Sequence, residues 1–221
     1  MGFNIAVDGP AGAGKSTIAK LVAKKMNLIY VDTGAMYRAM AVYFLKQGVD
    51  INDVGAVASS CTGADITIKY EDGMQMVYLN EENVTSLLRT EEVGNAASVT
   101  SGVAQVRARL LELQRTLAET SDCIMDGRDI GTCILPNADV KIYLTASSAV
   151  RAKRRFDELV AKGEECDLAK IQEDIEERDY RDMHREVAPL KQAEDAVLVD
   201  SSYMTIDEVV EKIVEIAESK K

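Results

Sequence analysis

The stretch GPAGAGKST, residues 9 to 17, constrains this chain more than any other. Gly9, four intervening residues, then Gly14, Lys15 and Ser16 make the phosphate-cradling P-loop pattern. Its glycines let the backbone turn tightly and aim successive N–H groups at phosphate oxygens. Lys15 has the reach for the outer phosphates. Ser16 offers a hydroxyl to Mg²⁺, a cation that takes phosphate, hydroxyl and water oxygens. A helix beginning here adds a positive dipole end. The context agrees. FNIAV upstream is apolar and β-compatible, and downstream Ile18, Leu21, Val22 and Met26 recur at helical spacing.

The rest of the chain alternates strand and helix. LIYV at 28 to 31, CIMDGRD at 123 to 129 (a strand running into a charged loop), VKIYLTA at 140 to 146 and AVLVD at 196 to 200 supply four further strands. Five short apolar strands separated by helices predict an α/β fold, a five-stranded parallel sheet with helices on both faces. DTGAMYRAMAVYFLKQG reads as a loop opening into a helix, with Gly48 as C-cap. Thr205 and Glu208 form a capping box, with Met204 and Val209 as a staple, and Val209, Val210, Ile213 and Ile216 make the last helix's buried face. One segment breaks the alternation. Ile66, Ile68 and Tyr70, a polar EDG turn, then Met74, Met76 and Tyr78 predict a β-hairpin with one half-buried face. It reads as an inserted antiparallel lobe.

Composition removes several function classes. A net charge of −11 argues against general nucleic-acid binding, which needs a broad basic surface. No apolar run approaches the ~20 residues of a membrane span, and no signal-like segment precedes the first strand, so a cytoplasmic protein is expected. Cys61, Cys123, Cys133 and Cys166 lie far apart without metal-like spacing. The one histidine, His184, cannot build a histidine-rich metal site. With 221 residues and 47% hydrophobic content, one domain with small inserted lobes is expected, and no apolar surface stripe argues against a monomer.

Six of the twelve arginines fall between Arg151 and Arg185, so positive charge is concentrated in one region of an acidic chain. Arg151, Arg154 and Arg155 share a helix face, as do Arg178, Arg181, Asp182 and Arg185. The two stripes flank FDELVAKGEECDL, which reads as a flexible charged stretch. A lid bringing guanidiniums over transferring phosphates has this pattern, and such a transfer asks for positioning and charge stabilisation. Arg38 and Arg128 sit in loops beyond the second and third strands, where open parallel sheets bind ligands. A P-loop kinase of another small acceptor and a non-catalytic nucleotide-binding regulator share these features.

DGPAGAGKST, DTGAMYR, NAASVTSGVAQVR, DGRDIGT and ERDYRDMHREVAPL, in this order, resemble the signature segments of the bacterial-type cytidylate kinases over essentially the whole chain. The last two are the most restrictive. That family is similar to adenylate kinase, with an enlarged monophosphate lobe. The resemblance implies a P-loop nucleoside monophosphate kinase fold with a short lid. The core would take 1–32, 85–150 and 186–221, the monophosphate lobe about 33–105 with its β insertion at about 64–84, and the lid about 151–185. It implies Mg²⁺-dependent transfer from ATP to CMP or dCMP in cytoplasmic pyrimidine metabolism, without nucleic-acid or membrane partners. Gly9, Pro10, Ala11, Gly12, Ala13, Gly14, Lys15, Ser16 and Thr17 would hold the donor. Arg38 and Arg128 would hold the acceptor phosphate, and Ser98, Arg107 and Asp129 would surround the cytosine. Arg178 and Asp182 would reach the sugar. Thr33 stands where the family often has Ser and keeps the hydroxyl of the acceptor site. Lys15, Arg128, Arg154 and Arg185 would stabilise the transferring group, and Ser16 and Asp126 would attend Mg²⁺.

Overall fold

A computed structural model describes residues 2–221. A parallel sheet in the order β2-β6-β1-β7-β8 is built from β1 (Asn4–Asp8), β2 (Ile29–Asp32), β6 (Cys123–Gly127), β7 (Val140–Thr145) and β8 (Val197–Asp200), with helices on both sides. A second sheet of β3 (Ile66–Glu71), β4 (Met74–Leu79) and β5 (Glu82–Asn83) is antiparallel. The chain divides into two compact units, one formed by Ile29–Cys123 and the other by Phe3–Leu28 with Ile124–Lys221.

The larger unit carries the P-loop. Ile5 of β1 stands opposite Val140 of β7 and Asp8 opposite Tyr143, and Ile142 of β7 stands opposite Val197 of β8. Ile5, Val7, Ile124, Ile142, Leu144 and Val199 are wholly or almost wholly buried, as strands covered on both faces require. Helix α1 (Lys15–Met26) packs against α8 (Ile206–Glu218). The buried side of α1 is Ile18, Ala19, Val22 and Ala23, with Leu21 exposed, and α8 buries Val214 and Ala217 where Ile216 was expected.

Helices α6 (Ser148–Ala161) and α7 (Leu168–His184) pack on each other. The first six residues of the FDELVAKGEECDL stretch, expected to be flexible, are helical and close the second half of α6. Lys153–Asp157, Arg155–Glu158 and Glu158–Lys162 pairs line that turn of helix at the spacing that supports it. The helix stops at Gly163, which turns left-handed at φ 79 while Glu164 N–H reaches back to Leu159 O at 3.1 Å.

In the unit formed by Ile29–Cys123, α2 (Thr33–Lys46), α3 (Val54–Ser60), α4 (Glu91–Thr100) and α5 (Ala104–Thr120) surround Met36, Met40, Phe44, Val106 and Leu110. No loop precedes α2. Asp32 caps it directly, accepting from Ala35 N–H at 2.9 Å. The hairpin stands where expected, but one strand's face is reversed. Its turn is only Asp72 and Gly73, at φ 50 and 75, the positive pair that a two-residue type I′ hairpin needs. Glu71 therefore pairs with Met74. Reading EDG as the turn slips the register by one residue, and one residue turns a strand over. The inner face of β4 is thus Gln75, Val77 and Leu79 opposite Tyr70, Ile68 and Ile66, while Met74 is exposed.

No helix among the described residues is long and apolar enough to cross a membrane. The capping box of α8 is present in both directions, with Glu208 N–H donating to Thr205 Oγ1 at 3.2 Å and Thr205 N–H to Glu208 Oε2 at 2.7 Å. Thr205→Ala is expected to cost about 1 kcal/mol of unfolding free energy in urea titration, with the urea slope unchanged.

Candidate functional site

The cradle is shaped by what its glycines leave out. Gly9 follows β1 at φ 150, and a Cβ there would overlap the Leu144 carbonyl oxygen of β7. Gly14, at φ 86, is the left-handed N-cap from which α1 starts. Lys15 opens that helix, only 6% exposed, and its ammonium donates to Pro10 O at 2.8 Å. Burial and the nearby Arg128 guanidinium draw the Lys15 pKa well down, against the pull of Asp126, Asp8 and Asp182. A polyphosphate settling in the loop would favour its charged form.

Beside the loop, Ser16 Oγ donates to Asp126 Oδ2 at 2.9 Å. A hydroxyl and a carboxylate oxygen side by side suit Mg²⁺, which takes one or two protein oxygens and completes its shell with phosphate and water. Arg128, two residues on, gives its Nε–H to Asp182 Oδ2 on α7 at 2.8 Å. Burial alone would raise the Asp182 pKa, but Arg128, Arg178 and Arg185 around it hold the carboxyl below its usual range. Asp129 is buried and accepts from Arg185 Nη2 at 3.3 Å. Lys15, Ser16, Asp126, Arg128, Asp129, Arg178, Asp182 and Arg185, all predicted from sequence, therefore form linked contacts in one unit.

Arg154 stands apart from this group. It donates to Ser201 Oγ at 3.3 Å and to Ser201 O at 2.7 Å, at the end of β8. The other stripe members diverge. Arg155 pairs with Glu158 at the surface, and Arg181 is exposed. Arg151 is an anchor. It is 5% exposed and donates to Ala146 O at 2.8 Å and to Ala11 O of the cradle at 2.9 Å, while its Nη2 pairs with Asp179 of α7 at 2.6 Å. His184 is exposed and stacks on Tyr180.

The remaining predicted residues belong to the other unit. Thr33, buried, is the first residue of α2, and Arg38 Nη1 lies 3.8 Å from Asp32 Oδ1. Arg107 donates to Ser101 O at 3.4 Å and faces the Tyr37 ring at 5.7 Å. Ser98 Oγ is buried without a hydrogen-bond partner among the described residues, a cost that a ligand's polar atom would relieve.

Sequence reasoning missed three polar residues here. Arg151 was read as part of a phosphate-facing stripe, although burial of its guanidinium depends on α7 folding back. Gln75 was assigned to the outer face. Asp8 opens the DGPAGAGKST segment and was given no role. It is 5% exposed and accepts the N–H groups of Ile130 and Gly131, each at 2.7 Å. Those residues open a π-helical turn, Ile130–Ile134, directly after Asp129.

A family model for cytidylate kinase matches residues 5–219. The chain belongs to the cytidylate kinase family. It is 49% identical to the cytidylate kinase of Lactobacillus johnsonii over 219 residues, covering 99% of this chain and 95% of the relative. It is 50% identical to that of Lactiplantibacillus plantarum, covering 99% and 96%. Solved structures share the fold at low identity. They include an uncharacterised protein of Eubacterium ventriosum (12% identity, TM-score 0.54, covering 98% of this chain and 99% of the other). A shikimate kinase of Bacteroides thetaiotaomicron is another (13%, TM-score 0.50, covering 97% and 98%).

In this cytidylate kinase family member Asp8 supplies a pH test. Burial, and secondarily the neighbouring Asp129, push its pKa from 3.8 up to about 6, against the two N–H bonds and Lys15. The folded chain then holds this proton more tightly than the unfolded one. The associated stability is full below pH about 4 and is lost as pH rises through about 6. Asp8→Asn cannot titrate. The stability of wild type relative to Asp8→Asn should therefore fall by about 2–3 kcal/mol between pH 4 and 7 in urea titrations. A constant difference across that range would contradict the burial argument.

Proposed function

We infer that this chain is a cytidylate kinase, transferring the γ-phosphoryl group of ATP to CMP or dCMP and releasing ADP with CDP or dCDP. The observation that carries this reading is the match to cytidylate kinases along nearly the whole chain. It is supported by the linked set of Lys15, Ser16, Asp126, Arg128, Asp129, Asp182 and Arg185. An oxygen of the monophosphate attacks the γ-phosphorus, and the bond from that phosphorus to the β-bridging oxygen breaks. The acceptor is already an anion, so no strong general base is needed, consistent with His184 standing exposed on α7. Charge stabilisation carries the step.

The roles are those that the family resemblance implies. The loop Gly9–Thr17 cradles the donor phosphates, and Lys15 leaves Pro10 O for the transferring group. Ser16 and Asp126 would hold Mg²⁺, which would supply positive charge to the donor phosphates. Arg38 and Arg128 take the acceptor's phosphate, Ser98, Arg107 and Asp129 the cytosine, Arg178 and Asp182 the sugar, and Thr33 lends its hydroxyl. Arg154 and Arg185 are cations with protein partners to exchange for phosphate oxygens. Residues 151–185 act as the lid that carries them. The enzyme works as a cytoplasmic monomer on free nucleotides.

A coupled assay of ADP release with CMP, dCMP, UMP and AMP tests the reaction. Turnover with CMP and dCMP is expected, and stimulation by neither would overturn the reading. Lys15→Ala should lower kcat by ~10²-fold or more, the loss expected for one electrostatic contact of about 3 to 4 kcal/mol.

Base choice gives a sharper test. Cytosine accepts at N3 and donates at N4, and uracil reverses both. Arg107 only donates and ionised Asp129 only accepts. A site built this way rejects the mismatched base by ~10²- to 10⁴-fold. Asp129→Asn offers donor and acceptor alike. The CMP/UMP ratio of kcat/KM should collapse toward one, mainly through lost CMP activity. An intact ratio would remove Asp129 from base reading.

A further inference from the structure

The inner face of β4 ends in a polar residue, and both ends of its amide bond the backbone of one residue. Gln75 Oε1 accepts from Asp32 N–H at 2.9 Å, and Gln75 Nε2 donates to Asp32 O at 3.2 Å. The amide thus closes a two-bond pair with Asp32, as a facing strand residue would. Its cross-strand partner Tyr70 reinforces the attachment by donating to Tyr30 O on the same strand β2 at 3.1 Å. The hairpin is therefore fastened by polar contacts to β2, the strand that runs directly into α2.

Asp32 is the residue on which that helix is set. Its Oδ1 caps α2 through Ala35 N–H at 2.9 Å and lies 3.8 Å from Arg38 Nη1. Its Oδ2 takes Arg89 Nη2 at 2.9 Å. The carboxylate is almost buried and cannot turn without giving up the cap. Where Asp32 sits thus fixes the start of α2 and, six residues on, the place of Arg38.

We propose that Gln75 is a positioning residue of the acceptor site, acting through Asp32 on Arg38. This rests on the reading of Arg38 as a ligand of the acceptor's phosphate. The hairpin's amide holds Asp32 so that Arg38 is aimed before the monophosphate arrives. Loosening that hold costs CMP binding and leaves the ATP cradle untouched.

Steady-state kinetics of Gln75→Leu, Arg38→Ala and the double variant test this. Gln75→Leu keeps the side chain's bulk and removes both hydrogen bonds. It is expected to raise KM for CMP about 10-fold, the scale on which a small misplacement acts, with KM for ATP changed less than about 2-fold. On the Arg38→Ala background the same change should add less than about 2-fold, because residues acting through one another are not additive. Gln75→Glu keeps the acceptor for Asp32 N–H and loses the donor. Its second oxygen then faces Asp32 O, so it should raise KM for CMP at least as much as Gln75→Leu, and it carries the same tests if Gln75→Leu does not fold. Equal rises in both KM values, no rise for CMP, or the full rise repeated without Arg38 would overturn the proposal. Arg38→Ala with an unchanged KM for CMP would instead overturn the acceptor-site reading itself.

Discussion

The P-loop unit is organised around one buried carboxylate at the end of its first strand. Asp8 ends β1, and its two oxygens take the N–H groups of Ile130 and Gly131 at 2.7 Å each. One side chain thereby fixes the turn after β6 relative to the strand that feeds the cradle. Arg128 and Asp129 lie on the segment between β6 and that turn, so their placement is inherited from Asp8. The arrangement stores an electrostatic cost. Two N–H bonds and Lys15 do not fully offset the desolvation, which is why the carboxyl is pushed up to about 6. A neutral residue here would avoid that cost, but an amide offers one acceptor where the turn supplies two donors.

The cations of the unit are held in a similar state. Arg128 rests on Asp182, Arg185 on Asp129, Arg151 on Asp179 and Lys15 on Pro10 O. An acidic chain can keep guanidiniums half-buried only by giving each an anion or a carbonyl, since an unpaired buried charge costs several kcal/mol. Two kinds of partnership result. Arg151 binds two carbonyls and a carboxylate while nearly wholly buried, and an arginine so engaged joins elements together. Arg154 and Arg185 are less enclosed, the first donating to Ser201 O at 2.7 Å and Ser201 Oγ at 3.3 Å, the second to Ala188 O at 2.7 Å and Asp129 Oδ1 at 3.3 Å.

Much of this was legible in the sequence because it is local. The glycine loop, the five apolar strands, the capping box and the hairpin's existence each depend on residues a few positions apart. The motif residues Ser16, Asp126, Arg128, Asp129, Asp182 and Arg185 likewise fall together because strand ends and one helix face deliver them. What was not legible depends on distant partners or on a single residue of register. Arg151 and Arg154 occupy the same helix face, and only the approach of Asp179 and Ser201 gives them different neighbours. A turn of two residues instead of three exchanged Met76 for Gln75 on the inner face. The helical continuation through FDELVA rests on i,i+3 and i,i+4 pairs that compete with a surface-loop reading of the same charges.

An acidic protein that binds polyphosphate looks contradictory until its carboxylates are followed strand by strand. β1 ends on Asp8, β2 on Asp32 and β8 on Asp200, and β6 carries Asp126 one residue from its end. These are carboxyl ends of parallel strands, where ligands of such sheets bind. Each carboxylate is already engaged. Asp8 takes two backbone N–H groups, Asp32 the cap of α2 and Arg89, Asp200 the N–H and hydroxyl of Ser202, and Asp126 the hydroxyl of Ser16. Their negative charge is spent on fastening the turns and helix starts that follow. In the larger unit Lys15 opens α1, and Arg128, Arg178 and Arg185 surround Asp182. The net charge of −11 describes the surface as a whole, and the local field at the cradle is set by which oxygens the fold has already occupied.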